Sequence, residues 1–504
     1  MSQDTDLRAA DPVLARMADA ILIPPFPGSS APRWILDALG RGLGGVTLFG
    51  QNISAPGQVS ALTAALRSAV AGDDPVIAID EEGGDVTRVA YADGSPYPGN
   101  AALGAVDDTA LTRTVYRAIG ADLVALGINL DLAPCADVLG SADSPAVGTR
   151  SFGADTGLVS RHTAAAVTGL QGAGLAACAK HFPGHGRTGT DSHEAIATIE
   201  GSLDDLRLRD LPPFRAAIGA GIVAIMPSHL RVPELTGNLP ATVSGAAITG
   251  LLRGELGFTG VIVSDALEMR ATRDMFGIPG AAVLAVAAGT DLLCLGRDGG
   301  EDEYLAVREA LVAAVRDGTL DGERLEEAVD RVARLRGDLA RTRVVGPVPD
   351  GVVPGIGLTA ARRAAQASGP RRTLSDPVII EVEPRENIAA GRFGWGLGPW
   401  APAGSVRRVS AFGGMPGDAA GILAAAAGIL AAAAGRSLVV VVRDAHRDKT
   451  TQSLVSTLLA ARSDLILVEM GLPLWRPPAG VSYLATYGAS RASAHAAAEW
   501  LGLA

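Results

Sequence analysis

Aromatic side chains are scarce in this 504-residue chain, at 4%, which argues against the long stacking platforms that line polymer-binding clefts. Cysteine is rarer still. Cys135, Cys178 and Cys294 stand singly among apolar residues, with no CxxC pair and no even-numbered framework, so neither a disulfide scaffold nor a zinc ribbon is signalled. They read as small core residues of a reducing compartment. No basic run occurs, and 43 Lys and Arg against 54 Asp and Glu leave a net charge of −11, so no phosphate-neutralising surface for nucleic acid is expected. No tract supplies the roughly 18–20 strongly apolar residues of a membrane span. The most apolar one, residues 419–435, is mostly Ala and Gly and reads as a packed helix. The polar, acidic start lacks the order of a secretory leader, so a cytoplasmic location is expected.

What is present is apolar: 48% hydrophobic residues against 19% charged, enough for two or three packed domains. Runs rich in Val, Ile and Leu recur at 21–25, 46–50, 76–80, 128–133, 176–181, 223–228, 261–265 and 292–295. Segments with helical apolar spacing lie between them, at 56–71, 108–126, 157–173, 203–220 and 244–256. Continuous apolar strands mean burial on both faces and hence parallel pairing. Eight β-α units predict an N-terminal (β/α)8 TIM barrel over residues 1–343, with chemistry at the C-terminal ends of its strands. An open, doubly wound sheet is the competing arrangement. Residues 344–359, with three prolines and four glycines, read as a linker. Residues 360–504 then read as a smaller three-layer α/β domain with strands near 378–382, 438–443, 465–470 and 483–487. Its polar strand end at Arg443, Asp444 and His446 reads as a solvated loop.

The densest polar cluster is Lys-His-Phe-Pro-Gly-His-Gly-Arg-Thr-Gly-Thr-Asp-Ser-His at 180–193, directly after the fifth strand. Pro183 and the glycines prevent a helix, so His181 and His185 cannot form a zincin-type pair on one helical face. Metal binding by His181, His185, His193 and Asp191 stays open as an alternative. Asp191 and His193, two apart on extended backbone, point the same way. A carboxylate beside an imidazole stabilises the imidazolium and gives a proton donor near neutral pH; the plain alternative is a surface His capped by its neighbour. Asp265 ends the seventh strand, where it is either a reactive carboxylate or a helix cap. After the third strand, Asp80, Glu81 and Glu82 precede Gly83-Gly84, which lets backbone approach a ligand or makes an acidic turn. Gly40, Gly42 and Gly45 match G-x-G-x-x-G but precede a strand, so dinucleotide binding lacks its context. No P-loop, G-x-S-x-G or HExxH occurs.

Together these segments resemble glycoside hydrolase family 3, in its bacterial β-N-acetylglucosaminidase branch. The resemblance is carried by IDEEGG at 79–84, GTRSFG at 148–153, the 180–193 loop, and further segments at 210–214, 226–229, 240–244, 256–258 and 264–269, in the family's order. It implies a retaining hydrolase of terminal β-linked N-acetylglucosamine from small peptidoglycan-type substrates, with no cofactor and no metal. In it Asp265 is the nucleophile, His193 the general acid/base and Asp191 its partner. Asp80, Arg88, Arg150, Lys180 and His181 contact the sugar, and His185 shapes the loop. Phosphorolysis or β-glucosidase activity on the same scaffold are the alternatives it leaves. The chain departs from the family pattern at Glu81, Asp85, Arg187 and Ala266, and the changes of charge at 81, 85 and 187 are expected to alter what lies beyond the first sugar.

Overall fold

The computed structural model describes residues 11–140, 144–189, 196–342, 353–384, 391, 396–410 and 419–504. Eight short strands open the chain: β1 (Leu22–Ile23), β2 (Gly45–Leu48), β3 (Val76–Ile79), β4 (Leu130–Asp131), β5 (Ala176–Phe182), β6 (Ala224–Pro227), β7 (Val261–Ile262) and β8 (Leu293–Cys294). Each falls on one of the eight apolar runs, and every residue in them is buried. Strands β2 to β7 form one parallel sheet in sequence order, and β1 pairs with β8, also in parallel. Hydrogen bonds link the two sheets at both edges. Thr47 on β2 donates from its backbone N–H to the Pro24 carbonyl at 3.3 Å, and Ser264 after β7 donates to the Leu292 carbonyl at 2.8 Å. The connections carry helices, which is what parallel neighbours require.

Helices Pro56–Ser68, Thr109–Ala125 and Thr156–Gly172 fall where their spacing places them, and a long helix, Gly322–Thr342, follows the last strand's helix. The segment at 203–220 is broken instead into Leu203–Arg209 and Pro212–Gly219, because Pro212 and Pro213 lack the N–H groups needed to continue the first helix. Residues Ala246–Glu255 wind as a wide π-helix. Asp291, fully buried at the start of the β8 segment, accepts from Arg253 at 2.5 Å, Arg324 at 2.7 Å and Arg331 at 3.1 Å. This carboxylate ties the helix Gly322–Thr342 to the sheet.

The expected linker is shorter than its composition implies. A helix, Ile356–Ala364, starts inside it, with Gly355 at φ +70 turning the chain into its first turn; residues 343–352 lie outside the described set. The second sheet contains β9 (Gln366–Ser368), β10 (Val378–Glu383), β11 (Val406–Ser410), β12 (Leu438–Val442), β13 (Ile466–Glu469) and β14 (Ser482–Ala485), in the order β11-β10-β12-β13-β14-β9. Only β9 runs antiparallel. Alternation along β10 and β12 sends Ile380 and Val440 toward the helices Ala419–Ala432 and Lys449–Ala461, and Ile379 and Val439 toward Arg491–Leu501. The two edge strands were not expected, because β9 is exposed and β11 reads Val-Arg-Arg-Val-Ser, which lacks a continuous apolar run. Arg443 also corrects an expectation: its side chain is only 10% exposed and pairs with Asp85 of the first sheet's loops at 2.7 Å, so this strand end is not a solvated loop. No described helix is long and apolar enough to cross a membrane.

Candidate active site

A cleft of about 740 Å³ opens where the first sheet's strands end, lined by Asp80, Glu82, Arg88, Arg150, Lys180, His181 and Asp265 among others. Asp80 directly follows β3, Lys180 and His181 lie just before Phe182 at the end of β5, and Asp265 lies three residues beyond β7. Strand neighbours ordinarily face opposite sides. Lys180 and His181 both reach the cleft because the pairing of β5 with β6 shifts register between Lys180 and Phe182, the kind of irregularity that re-aims a side chain beside a site. All six expected cleft groups among the described residues, Asp265 and the five expected sugar contacts, therefore share one cavity. Asp191 and His193 lie outside the described residues.

The cleft floor is an ion network. Lys180 Nζ lies 2.5 Å from Asp80 Oδ1 and 2.9 Å from Glu82 Oε1. Glu82 in turn receives Arg150 through two parallel bonds, Nε to Oε2 at 2.9 Å and Nη2 to Oε1 at 2.6 Å. Burial alone would raise the Glu82 carboxyl, but the Arg150 and Lys180 cations outweigh it and hold the group well below the usual carboxylate range. The Asp80 and Glu82 carboxylates outweigh burial for Lys180, and Glu82 foremost does so for Arg150, so both stay charged. Fixed in this way, Lys180 and Arg150 are rigid donors and Asp80 a rigid acceptor, which suits hydroxyl and amide groups of a bound sugar.

His181 is oriented from behind. Its Nδ1 lies 2.8 Å from Asp137 Oδ2, while its Nε2 faces Arg150 Nη2 at 3.3 Å. Since an arginine only donates, Nε2 is the acceptor and the proton sits on Nδ1, donated to Asp137. Asp137 also accepts the backbone N–H groups of His181 at 3.2 Å and His185 at 2.7 Å, and the Cys135 thiol at 3.1 Å. His185 is held further by Thr188 Oγ1 at 2.8 Å. Cys135, Asp137 and His181 thus bring three potential metal donors together. Burial, with Asp137 beside it, pushes the Cys135 thiol well up, so a metal there would have to displace protons already shared with Asp137. Glu82, read only as one acid of the turn after β3, and Asp137 were not assigned to the site from sequence; the signal for Asp137 was an acid past β4, at the end of the sheet where the other groups gather.

Three departures from the family pattern do not face the cleft, which corrects the expectation that they shape what lies beyond the first sugar. Glu81 turns inward, accepting from the Arg88 and Val89 N–H groups at 2.7 and 3.0 Å. Asp85 turns to the second sheet. Arg187 pairs with buried Asp210 at 2.8 Å. Ala266 does line the cleft. Arg270, Arg273, Arg297 and Glu268 form the rim, with Glu268 accepting the Asp298 N–H at 2.9 Å.

Behind that rim, burial and then the Glu268 and Asp298 charges push the Glu303 carboxyl up to about 7. A raised carboxyl means the folded state holds the proton more tightly, so this stabilisation is complete below the ordinary carboxylate range and is lost as pH rises through 7. Glu303→Gln is therefore expected to raise thermal stability at pH 8 and leave it little changed at pH 5. Equal shifts at both pH values would count against the ionised group as the cause.

Residues 31–335 match the model of the glycosyl hydrolase family 3 N-terminal domain. The chain belongs to glycoside hydrolase family 3. Among curated relatives, Beta-hexosaminidase LpqI of Mycobacterium tuberculosis is 37% identical over 281 residues, covering 54% of this chain and 71% of that protein. Beta-hexosaminidase A of Pseudoalteromonas piscicida is 33% identical over 327 residues, covering 60% of this chain and 54% of that protein. The chain thus spans only about half the length of the latter. Among solved structures, a family 3 β-N-acetylglucosaminidase from Paenibacillus sp. str. FPU-7 superposes with a TM-score of 0.84 at 31% identity, with 97% of each chain covered. That superposition takes in both sheets of this family 3 chain.

Proposed function

We propose that this family 3 chain is a retaining, exo-acting β-N-acetylglucosaminidase. The observation that carries the reading is Asp265, opening into the same cleft as the Asp80–Lys180–Glu82–Arg150 network and His181. A retaining glycosidase needs a nucleophile below the anomeric carbon and a proton donor beside the leaving oxygen, about 5–5.5 Å apart when both are carboxyl groups. In this reading Asp265 attacks the anomeric carbon, forming a glycosyl-aspartate as the glycosidic C–O bond breaks. His193, kept cationic by Asp191, gives its proton to the departing oxygen, then as neutral imidazole takes one from the water that releases the sugar. Positioned proton transfer of this kind is worth about 10²–10⁴-fold. The sugar's 2-acetamido group is a recognition element held by the fixed donors of the cleft.

The hydrogen bonds joining β1 to β2 and β7 to β8 support reading the first domain, residues 1–343, as a closed (β/α)8 barrel, with residues 360–504 as a companion domain. The substrate in this reading is a small fragment of peptidoglycan type. The deciding experiment measures release of an aryl leaving group from a β-N-acetylglucosaminide and from the matching β-glucoside, each with and without phosphate. We expect turnover of the N-acetyl compound alone, yielding free sugar in either buffer. Preference for the glucoside, or sugar 1-phosphate as product, would refute the reading.

A further inference from the structure

The turn that carries Glu82 also carries Asp85, and the two acids grip neighbouring residues of one loop. Glu82 holds the Arg150 guanidinium, and Asp85 Oδ2 accepts the Thr149 hydroxyl at 2.6 Å. The turn between them is tight. Val86 N–H donates to the Gly83 carbonyl at 3.2 Å, and Gly84, at φ +60, packs so closely that a Cβ there would lie 2.4 Å from Gly99 Cα. Only glycine meets both demands. Asp85 and Glu82 are thus held on one tight turn, three residues apart.

Two further ligands of Asp85 come from the second domain. Arg443, just past β12, donates to Oδ2 at 2.7 Å, and the backbone N–H of Ala489 donates to Oδ1 at 2.8 Å. Asp85 is 5% exposed, and next to it Val86, 1% exposed, packs among Ile379, Val441 and Ala489 of the second domain's core. A buried, hydrogen-bonded ion pair flanked by an apolar plug has one well-defined geometry, because losing a partner leaves a charge stranded.

We propose that Asp85 and Arg443 are positioning residues for the sugar pocket: the second domain sets the placement of Arg150 through Asp85, Thr149 and the 82–86 turn. This rests on the reading of Arg150 as a sugar contact. Neither residue touches substrate, and the companion domain acts as part of the alignment of the first.

The test compares Arg443→Met, Arg443→Lys and Thr149→Val in the full chain. The readouts are kcat and KM for an aryl β-N-acetylglucosaminide, direct titration with N-acetylglucosamine, and thermal stability. Misplacement of a binding group by a fraction of an ångström predicts a KM and a sugar dissociation constant raised about 10- to 100-fold for Arg443→Met. The change in kcat should be smaller, and Arg443→Lys should recover part of the loss. Thr149→Val, which removes one hydroxyl and leaves the Arg443 and Ala489 donors to Asp85 in place, should shift KM in the same direction, and its combination with Arg443→Met should be less than additive. Lower stability with unchanged KM and sugar affinity in both single variants would overturn the proposal. Absence of turnover by the unaltered protein would instead refute the functional reading, while the sugar titration would still judge this one.

Discussion

Asp265→Ala is expected to abolish hydrolysis of an aryl β-N-acetylglucosaminide, lowering kcat by about 10⁴-fold or more, the scale seen when a covalent nucleophile is removed. The fold should survive. Asp265 is partly exposed to the cleft and accepts the N–H of the next residue, Ala266, at 2.8 Å. Asp265→Ala should therefore keep the wild-type melting profile and still bind N-acetylglucosamine. Chemical support comes from rescue: a small anion such as azide or formate, diffusing into the space the carboxylate vacates, should restore turnover in part. A variant retaining full activity would remove Asp265 from the reaction, and one that failed to fold would assign it to the helix-cap role that its position after β7 also allows.

The second large effect is on stability. Glu82→Gln should destabilise the first domain by about 3–5 kcal/mol, the range for breaking one partner out of a buried ion pair. The reason is local: Lys180 and Arg150 would lose the one carboxylate that pairs with both in a buried space, leaving Asp80 paired with Lys180. Sugar affinity should fall together with stability, since the same two cations lose their fixed positions. The neighbouring acid behaves oppositely. Burial raises the Glu81 carboxyl, and among the described residues it has no ion pair like that of Arg150 with Glu82, so Glu81→Gln should cost less than about 1 kcal/mol, as a surviving acceptor for the Arg88 and Val89 N–H groups implies. Denaturant unfolding of the two variants side by side checks the contrast. The sign with pH follows as well: Glu82, held low, contributes stability above the ordinary carboxylate range that is lost in acid as pH falls through its depressed value.

That two adjacent glutamates differ so much also marks where sequence reasoning stops. Strands β1 to β8 were readable because burial on both faces writes an unbroken apolar run, and most of the site was readable because its residues follow such runs. Glu82 was not singled out, since its partners are Arg150 and Lys180, 68 and 98 positions away, and nothing in IDEEGG distinguishes an acid facing the cleft from one facing the protein. Asp85 misled for the same reason. Its change of charge suggested altered contact with substrate, whereas its counter-ion is Arg443, some 358 residues distant. Edge strands such as β11 escape because one exposed side removes the apolar continuity that local patterns depend on.

The pairing of β1 with β8 has its own consequence for biosynthesis. On the side away from β2, Leu22 and Ile23 pair with Leu293 and Cys294, so a nascent chain must carry that apolar edge unpaired for some 270 residues of elongation. Contacts this distant in sequence form late, and an exposed edge recruits other chains. Ribosome-bound chains released before residue 294 should therefore aggregate or require a chaperone, and expression trials that truncate this protein need to keep that final strand together with the Asp291 anchor beside it.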